Sequence, residues 1–494
     1  MKLILEAIEK TRTEGIPALI LLAEQEKLLG GLPKDRSGLQ PQIAGILKNQ
    51  AEKVLADALE LAFASDIVIG VLQIPQKKGL SRDDRLRLAA SRIAELMKSR
   101  SWQKAVVSAE GLSASETKAL AEGFHLSTYD FRKYKSEKRP EKAEPEVMIL
   151  IQGENLKKAG AALAEAETVC GQVNFCRDLV NEPGSSLDPQ GFAETARKAA
   201  KQFGLGIRVR DEKKLQSEGF QGLWTVGKGS DRPPRMVTLE YDGVRGAKKG
   251  GKAPHLVLVG KGVTFDTGGI SIKPSQGMWE MKSDMAGAAS ALSALCAIAA
   301  LKLPLKASAV LCLAENRPGN AAVLPGDIFT AKNGKTVMVD NTDAEGRLIL
   351  TDGLAEAGSL GATHIIDLAT LTGAIVRAIG TSIAGLFCND ADFTRLMVKA
   401  GETVSEKFCV MPLEEEYREY LDDPVADMKN VGKTEAGAIT AALFLQEFVP
   451  AKTAWSHWDI AGTAFTTSSW KYFKAGATGW GVKSLVETAK ALAS

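Results

Sequence analysis

The sequence predicts an α/β protein whose longer, C-terminal part contains a mainly parallel, doubly wound sheet. Short apolar runs of strand length alternate with stretches of helical periodicity, and this alternation is typical of βαβ units. At 494 residues the chain has room for two or three domains and a large buried core. Its apolar content of 45% and charged content of 25% are those of an ordinary soluble globular protein.

The first part of the chain alternates between predicted strands and helices. The predicted strands are residues 16–23, 66–73, 105–108 and 147–152, and the predicted helices are residues 41–61 and 83–98. Residues 132–145 are charged and contain proline, which predicts an exposed segment near a domain boundary. A long Ala-, Glu- and Lys-rich helix over residues 155–180 is expected to link the domains.

The second part of the chain is longer and more apolar, and its pattern predicts the doubly wound sheet. The predicted strands are residues 206–210, 236–241, 255–259, 307–313, 336–339 and 364–368, with helices notably at residues 284–301 and 348–359. Residues 242–254 are rich in Gly and Lys and predict a flexible surface turn.

Composition excludes several classes of protein. A net charge of +2 gives no electrostatic reason to expect nucleic acid or membrane as the main partner. The six cysteines are scattered without a CxxC pair, which favours reduced thiols in a cytosolic protein over a disulfide scaffold. The start of the chain has no long apolar core after a basic head, so no signal peptide is expected. The apolar stretch at residues 286–301 is rich in Ala and Ser and predicts a buried helix.

The histidine content restricts the kind of metal site that the chain can build. Only four histidines occur, and the sequence contains neither HExxH nor a Cys/His cluster. A metal site in this protein must therefore consist mostly of carboxylates.

Chemically unusual residues follow three of the predicted strands. The segments are GKGVTFDTGG at residues 260–269, NTDAEGRL at residues 341–348 and ATLTG at residues 369–373. In open α/β sheets, sites form beyond the carboxyl ends of the strands. IKP at residues 272–274 and MKSDM at residues 281–285 lie between the first two segments and add further charge.

The octapeptide at residues 341–348 allows two interpretations. Asp343 and Glu345 are two apart, so on an extended segment both side chains would point to one side and suit a metal, with Arg347 beside them for an anion. Alternatively, Thr342-x-x-Glu345 matches a helix capping box before an apolar run.

The other charged residues also have simpler explanations. Asp266 is interpretable as a turn aspartate, and Asp284 as an N-cap or first-turn residue of the Ala-rich helix. Lys261 and Lys273 are interpretable as solvated surface lysines. Arg347 is harder to dismiss, because a cation near a helix N-terminus opposes the helix dipole. A phosphate loop around Lys261 is weakly supported, since the chain has no GxxxxGK[ST] motif.

Taken together, the four carboxylates at strand ends fit a dinuclear site for divalent cations. A lysine beside two dications can lose its proton, so Lys261 is a candidate neutral amine ligand. The residues alone therefore predict a carboxylate-rich metal hydrolase and no more specific activity.

The motifs themselves carry a resemblance to a known family. VGKGVTFDTGG, SIKP, MKSDMAGAA, NTDAEGRL, DLATLTGA, GAITAALFL and HWDIAG occur in this order. This series resembles the leucyl aminopeptidase (cytosol aminopeptidase, peptidase M17) family of two-metal peptidases, from about residue 174 to the end. The resemblance implies two domains: a smaller N-terminal α/β, macro-like domain at residues 1–153, and a larger C-terminal α/β catalytic domain at residues 154–494 with a central mixed, mainly parallel sheet and a linking helix at its start.

The resemblance also implies a role for each matching residue. The implied metal ligands are Lys261, Asp266, Asp284, Asp343 and Glu345. Asp266 and Glu345 would bridge the two ions, with Lys261 and Asp284 on the more loosely held ion and Asp343 on the other.

The remaining implied site residues act on the substrate. Lys273 and Arg347 are the implied catalytic pair, and the implied substrate-binding residues are Met281, Thr370, Leu371 and Gly373. Two small departures from the family pattern, at residues 351–352 and 436–437, touch none of these positions.

The implied activity is release of N-terminal amino acids, with leucine and other apolar residues preferred, from peptides that have a free N-terminus. The implied cofactors are two divalent ions per subunit (Mn²⁺ or Zn²⁺), with bicarbonate at Arg347. The implied assembly is a cytoplasmic homohexamer that binds no membrane. A DNA-binding accessory role, known in some members of the family, is the first alternative, and a nucleotide-binding α/β protein is the second. Nucleic acid is not expected as a partner, because only residues 132–142 and 245–252 offer basic runs.

Overall fold

The computed structural model describes residues 1–7, 18–23, 59–64, 67–73, 79–109, 111–136, 144–151, 153–244 and 254–494. The chain divides into two compact units, Met1–Gly171 with Ser469–Lys474, and Gln172–Ser468 with Ala475–Ser494. The predicted boundary between residues 153 and 154 stays a prediction, and the long helix that follows it contributes residues to both units.

The first unit contains a six-stranded sheet in the order β1-β6-β5-β2-β4-β3. Neighbouring strands are parallel except for the antiparallel β3–β4 pair at one edge. The strands are β1 (Lys2–Ala7), β2 (Ala18–Ala23), β3 (Leu59–Ala64), β4 (Ile67–Gln73), β5 (Lys104–Ser108) and β6 (Glu146–Ile151).

Two helices pack on this sheet, α1 (Arg82–Ser99) and α2 (Ala114–Ser127). The side chain of Ser81 caps the first, and a capping box formed by Ser113 and Glu116 caps the second. Their apolar faces bury a core that includes Leu86, Ile93 and Phe124 against the strands. After a short 3₁₀ helix at Gly153–Asn155, the long helix α3 (Leu156–Asn181) follows.

The second unit is built on an eight-stranded sheet in the order β15-β14-β17-β13-β9-β10-β8-β7. Strands β17, β13, β9 and β10 run parallel in its middle, while β14 and β8 are antiparallel to their inner neighbours. The strands are β7 (Gly206–Arg210), β8 (Arg235–Asp242), β9 (His255–Asp266), β10 (Lys306–Asn316), β13 (His364–Ala369), β14 (Ile383–Cys388), β15 (Lys407–Val410) and β17 (Ala454–Asp459). The predicted α/β class with a mixed, mainly parallel sheet is confirmed.

Helices and two small sheets complete the second unit. The helices are α4 (Pro189–Phe203), α5 (Glu212–Ser217), α6 (Gln221–Gly227), α7 (Ala286–Ala300), α8 (Glu345–Ser359), α9 (Gly373–Ile379), α10 (Ala391–Val404), α11 (Gly437–Gln446) and α12 (Val482–Ala493), with 3₁₀ turns at Met278–Ser283 and Glu415–Leu421. The small sheets contain β11 (Ile328–Thr330), β12 (Thr336–Met338) and β16 (Met428–Lys429), and β18 (Phe465–Thr466) with β19 (Gly476–Ala477). A large core that includes Val259, Val310 and Leu348 lies between β9, β10 and α8.

Strand β9 continues seven residues beyond its predicted end at residue 259, because its glycines serve packing and do not end the strand. A Cβ on Gly260 would lie 2.4 Å from the Cα of Ala288, so only glycine lets α7 lie this close to β9. The extension places both Lys261 and Asp266 in the strand itself, not in the loop that the sequence predicted.

The predicted helix at residues 41–61 is wrong over its last three residues, which belong to β3 and pair antiparallel with β4. Its earlier part lies outside the described residues, as do much of the predicted exposed segment at 132–145, most of the surface turn at 242–254 and most of the two basic runs. Strands β14 and β17 and helix α4 were not predicted.

One segment among the described residues, Met278–Ala300, is long and apolar enough by composition to cross a membrane, but 94% of its most apolar window is buried inside the fold. The prediction of a buried helix for this stretch is therefore confirmed.

Candidate metal centre

The candidate residues gather at the carboxyl ends of β9, β10 and β13, where the strand order of the sheet reverses. From β9 the chain passes through α7 to β10 on one side, and later returns to β13 on the other side of β9. Such a switch point leaves a crevice between neighbouring strand ends. Lys261 and Asp266 come from β9, and Thr370 follows β13 directly.

Asp284 reaches the same place from the segment between β9 and β10. It follows the 3₁₀ turn Met278–Ser283, and the residue at the N-cap position of α7 is Met285, which makes no side-chain capping bond. The interpretation of Asp284 as an N-cap or first-turn residue is therefore wrong, because the helix begins at Ala286. Its carboxylate instead accepts a hydrogen bond of 2.7 Å from the hydroxyl of Thr370.

The octapeptide forms a turn followed by the start of α8, not the extended segment that the sequence suggested. Helix α8 begins at Glu345, and its N-cap is Ala344, with no side-chain capping bond. Thr342 donates its hydroxyl proton to the carbonyl of Gly268 at 2.6 Å and accepts from the amide of Ser271 at 2.8 Å. The capping-box interpretation is therefore wrong, because Thr342 serves to attach the octapeptide to the loop after β9.

Three carboxylates converge at this point. Asp266, Asp343 and Glu345 each offer an oxygen, and these atoms all lie within 4.8 Å of one another. Asp266 and Glu345 are each 2% exposed, whereas the side chain of Asp343 is 31% exposed, so solvent reaches the cluster on the Asp343 side. The turn explanation of Asp266 is correct but incomplete: its Oδ1 accepts from the amide of Gly268 at 2.8 Å, while its Oδ2 faces the cluster.

Lys261 connects Asp284 to this cluster. Its Nζ lies 2.8 Å from Asp284 Oδ2 and 2.8 Å from Glu345 Oε1, and it donates to the carbonyl of Thr370 at 2.9 Å. Its side chain passes over Gly346, where a Cβ would lie 2.7 Å from Lys261 Cε. Lys261 is 3% exposed, so the surface-lysine explanation is wrong.

Lys273 contacts the other two carboxylates. Its Nζ lies 2.8 Å from Asp266 Oδ2 and 2.5 Å from Asp343 Oδ1. Its side chain is 22% exposed, which makes it the more accessible of the two lysines. It is therefore not a freely solvated lysine, but it keeps an open side toward solvent.

The burial of like charges shifts the acidities of the cluster. Burial first, and the neighbouring Asp266 carboxylate second, raise the pKa of Glu345 to about 8. Burial likewise raises the pKa of Asp284 to about 6 and raises that of Asp343. Burial opposes the charged form of Lys261, but the carboxylates of Asp284 and Glu345 outweigh it and raise the pKa of this lysine.

These residues fit divalent cations. Four carboxyl groups against two ammonium groups leave an excess of negative charge once all four carboxyl groups are ionised. Three carboxylate oxygens of the centre are buried and have only a lysine ammonium as a partner in the described part of the chain. They are Asp284 Oδ2, Asp343 Oδ1 and Glu345 Oε1. Buried anionic oxygens of this kind are the ligands that hard divalent ions prefer.

Arg347 lies beside the centre on the first turn of α8. It is 7% exposed, and its Nη1 donates to the carbonyl of Asn430 at 2.8 Å. Its Nε is buried and donates no hydrogen bond within the described ranges. Burial lowers the pKa of this guanidinium to about 10, so it still carries its charge at neutral pH. A buried cation with an unused donor is suited to a small anion.

The expected substrate-binding residues lie on the elements around the centre. Thr370 joins it directly through Asp284 and Lys261. The amide of Leu371 donates to Asp459 at 3.1 Å, and Gly373 is the first residue of α9. Met281 lies in the 3₁₀ turn that ends before Asp284.

Two buried asparagines at the centre were missed in the sequence. Asn316, the last residue of β10, donates to Asp266, and Asn430 donates to the octapeptide carbonyls of Asn341 at 2.8 Å and Ala344 at 3.3 Å. Asn316 was detectable, because the strand-end rule also applies to the residues that follow the apolar run at 307–313. No local pattern marks Asn430, which contacts the octapeptide from far along the chain.

Comparison with known proteins agrees with this geometry. A sequence model described as "Cytosol aminopeptidase family, catalytic domain" matches residues 174–486. The chain belongs to the cytosol aminopeptidase family. The resemblance seen in the motifs is thereby confirmed, and the protein is a hydrolase: a metal-dependent aminopeptidase that acts on peptides.

Curated relatives from bacteria cover most of the chain. A "Probable cytosol aminopeptidase" of Geobacter sulfurreducens is 41% identical over 417 residues, which are 84% of this chain and 83% of the relative. Proteins of the same name from Solibacter usitatus and Aquifex aeolicus are 44% identical over 410 residues and 41% identical over 417 residues. The first covers 82% of this chain and 83% of its own length, and the second 83% and 82%.

Solved structures match over nearly the whole length. The bottromycin maturation enzyme BotP in complex with Mn superposes with a TM-score of 0.83 at 32% identity, over 97% of this chain and 99% of BotP. A second structure of BotP gives a TM-score of 0.82 at 31% identity with the same coverage. The structural similarity to BotP therefore extends across both units.

Proposed function

We propose that this cytosol aminopeptidase releases N-terminal residues, leucine and other apolar residues first, with the help of two divalent ions at the candidate metal centre. The observation that carries the proposal is the convergence of the buried Asp266, Asp343 and Glu345 oxygens within 4.8 Å. The residues that would hold the ions are Lys261, Asp266, Asp284, Asp343 and Glu345. Mn²⁺ is the first ion to test, because BotP was solved with Mn, and Zn²⁺ is the second.

The contacts among these residues support the division of ligands that the family resemblance implies. Asp266 and Glu345 lie in the middle of the cluster and would bridge the two ions. Asp284 and Lys261 contact each other at one end, and Asp343 lies at the other end beside Lys273. The bound ions would lower the pKa of a water molecule toward neutrality and polarise the scissile carbonyl.

Lys261 must release a proton from Nζ before that nitrogen can act as a ligand. In the ion-free centre the neighbouring carboxylates hold it in the ammonium form. Positive charge nearby reverses that preference, since it disfavours the ammonium form. Ion binding and loss of this proton are therefore expected to be coupled.

Lys273 and Arg347 would act on the reacting groups. Burial disfavours the charged form of Lys273, but its carboxylate neighbours outweigh this and raise its pKa, so the ammonium persists at neutral pH and would stabilise negative charge on the substrate carbonyl oxygen. Arg347, with its unused buried Nε, would hold a bicarbonate that accepts the proton of the attacking water.

Substrate selection would depend on a free α-amine and on an apolar side chain. The amine would be recognised at the end of the centre that Lys261 and Asp284 form, and an internal residue of a peptide has no such group. The side chain would lie against Met281, Thr370, Leu371 and Gly373. The family resemblance further supports a cytoplasmic homohexamer as the working assembly.

A chromogenic assay tests the proposal. Protein treated with a chelator and then loaded with Mn²⁺ or Zn²⁺ should cleave leucine p-nitroanilide, and the chelated protein should not. The N-acetylated analogue should resist cleavage under the same conditions. Equal cleavage of both substrates would refute recognition of the free amine. A screen across aminoacyl p-nitroanilides, combined with metal analysis, would establish the preferred side chain and ion.

A further inference from the structure

We propose that Asn316 is a positioning residue that fixes the orientation of the Asp266 carboxylate in the metal centre. The inference rests on the metal-dependent function proposed above and adds to it a residue outside the ligand set. The hydrogen bonds of Asn316 within the described residues go to Asp266, Thr267 and Thr342 and not to the proposed substrate-binding residues, so it would act through Asp266.

An irregularity in the sheet places the two side chains together. The β9–β10 ladder pairs Val263 with Ala314 and then Asp266 with Asn316. Two residues of β9 therefore oppose one residue of β10, which is the pattern of a β-bulge. Bulges bend a strand and redirect its side chains, and they are frequent beside active sites. This one sets Asp266 directly opposite Asn316 at the carboxyl end of both strands.

The amide group of Asn316 uses both of its protons. Its Nδ2 donates to Asp266 Oδ1 at 2.8 Å and to the carbonyl of Thr342 at 3.0 Å. Asn316 is 1% exposed, so water cannot readily replace either bond. One side chain thus connects the end of β9 to the octapeptide that supplies Asp343 and Glu345.

These contacts determine which oxygen of Asp266 is available. Oδ1 accepts from Asn316 Nδ2 and from the amide of Gly268, both at 2.8 Å. Oδ2 is left facing the cluster, 2.8 Å from the ammonium of Lys273. Rotation of the carboxylate would break two buried hydrogen bonds, so Oδ2 is held as the ligand atom.

The turn after Asp266 is also built around Asn316. The carbonyl of Asn316 accepts from the amide of Thr267 at 3.0 Å and from its hydroxyl at 2.9 Å. Gly269 has a φ of +67°, and a Cβ there would lie 2.8 Å from Asn316 Oδ1. The turn therefore packs directly on the amide whose other end holds Asp266.

A role in folding alone is the competing explanation, since buried carbonyls such as that of Thr342 need a donor. The two explanations differ in what they predict for metal affinity. A positioning residue changes the affinity of the folded protein for the ion, whereas a residue needed only for folding changes the stability of the ion-free protein and leaves that affinity unchanged.

The test compares Asn316→Leu with Asn389→Leu. Leucine keeps the approximate size of asparagine and removes both donors. Asn389 is exposed, unlike Asn316, and controls for the loss of an amide that joins two segments: it donates to the carbonyl of Thr453 at 3.1 Å and accepts from the amide of Trp455 at 2.8 Å, away from the proposed ligands. Mn²⁺ dissociation constants are measured by titration calorimetry on chelator-treated protein, and unfolding is measured in the presence of chelator.

Asn316→Leu should weaken Mn²⁺ binding by about 10- to 100-fold, the range found when a group that orients a metal ligand is lost. Asn389→Leu should lower stability and leave the dissociation constant unchanged within about twofold. An Asn316→Leu affinity equal to that of Asn389→Leu would overturn the positioning role. If Asn316→Leu does not fold, Asn316→Ser provides the same comparison, because its hydroxyl is too short to reach Asp266.

Asp266→Asn separates failure of this inference from failure of the proposed function. If Asp266→Asn binds Mn²⁺ as well as the unaltered protein, the metal centre itself is wrong and the inference falls with it. If Asp266→Asn loses affinity and Asn316→Leu does not, the metal centre stands and only the role of Asn316 is overturned.

Discussion

Two regions of the molecule bury clusters of charged side chains, and they differ in how the charges are balanced. In the first unit, Arg87 donates to Glu122 at 2.7 Å and to Asp84 at 3.1 Å, and Lys471 also contacts Asp84. These two cations match these two carboxylates. The metal centre has more carboxylates than lysines, and among the described residues three of its buried oxygens have only a lysine ammonium as a partner.

The contrast separates a cluster that serves the fold from one that is prepared for a ligand. Burying a charge is expensive unless a partner of opposite charge and good geometry compensates it. The Arg87 cluster supplies that partner from within the chain. The metal centre leaves part of the compensation to a bound cation. Without that cation, the pKa values of Asp284 and Glu345 are raised.

The largest effect is expected when a central carboxylate of the metal centre loses its charge. Glu345→Gln keeps the shape of the side chain and removes a bridging ligand, so we expect aminopeptidase turnover to fall by more than about 100-fold, beyond the loss typical of residues that only orient a ligand. Mn²⁺ retention should fall as well. Activity on leucine p-nitroanilide and metal content after gel filtration measure both effects.

Glu356→Gln is the matched control for this variant. Glu356 lies on the same helix, is 1% exposed, and has its charge compensated by Arg210 at 3.0 Å. This substitution should lower stability and leave Mn²⁺ affinity unchanged. Full activity of Glu345→Gln, or an equal loss of Mn²⁺ in Glu356→Gln, would remove the distinction between the two kinds of cluster.

In the first unit, loss of a buried charge is expected to lower stability without changing Mn²⁺ affinity. Arg87→Met leaves Asp84 and Glu122 buried with less compensation, so the free energy of unfolding should fall by about 3–5 kcal/mol, the usual cost of breaking a buried ion pair. Chemical denaturation monitored by tryptophan fluorescence measures this change. Mn²⁺ affinity of the folded protein should not change.

An exposed ion pair provides the reference for Arg87→Met. Arg197 lies 3.5 Å from Glu194, with side chains 49% and 51% exposed, and Arg197→Met should change stability by less than about 1 kcal/mol. A similarly small loss in Arg87→Met would show that the Arg87 cluster contributes little to the fold. The two clusters would then differ in ion binding but not in their contribution to stability.

The sequence predicted more of the second sheet and of the metal centre than its local patterns alone could justify. The motif order identified every proposed ligand, and strand-length apolar runs located most of the second sheet. It could not predict that β9 continues to Asp266, because the glycines that look like a strand end are required by the contact between Gly260 and Ala288. Nor could it predict the pairing of Asp266 with Asn316, since a β-bulge changes register without leaving a local pattern.

The octapeptide is a second place where the sequence could not predict the local conformation. Its spacing suggested either an extended metal-binding segment or a capped helix, and the structure has neither. Thr342 binds to the loop after β9 and Asn430 holds the neighbouring carbonyls, so contacts distant in sequence determine the local conformation. The candidate ligands of the octapeptide could be chosen from the sequence, whereas its backbone conformation could not be predicted.

The raised carboxyl pKa values of the metal centre also make ion binding depend on pH. Because burial raises the pKa of Glu345 to about 8, this carboxyl is mostly protonated below that pH in the ion-free protein, and Lys261 keeps its ammonium form. A divalent ion must displace these protons. Mn²⁺ affinity should therefore rise between about pH 6 and pH 8, by up to about tenfold per pH unit for each proton released.

Calorimetry in buffers of different ionisation enthalpy counts the protons released at each pH. Glu345→Gln should release fewer protons than the unaltered protein, because one titrating ligand is gone, while Glu356→Gln should release the same number. Binding that is independent of pH and releases no proton would show that neither Glu345 nor Lys261 is a ligand. The excess of carboxylates over cations would then be a property of the fold, and the metal centre would have to be sought among fewer residues.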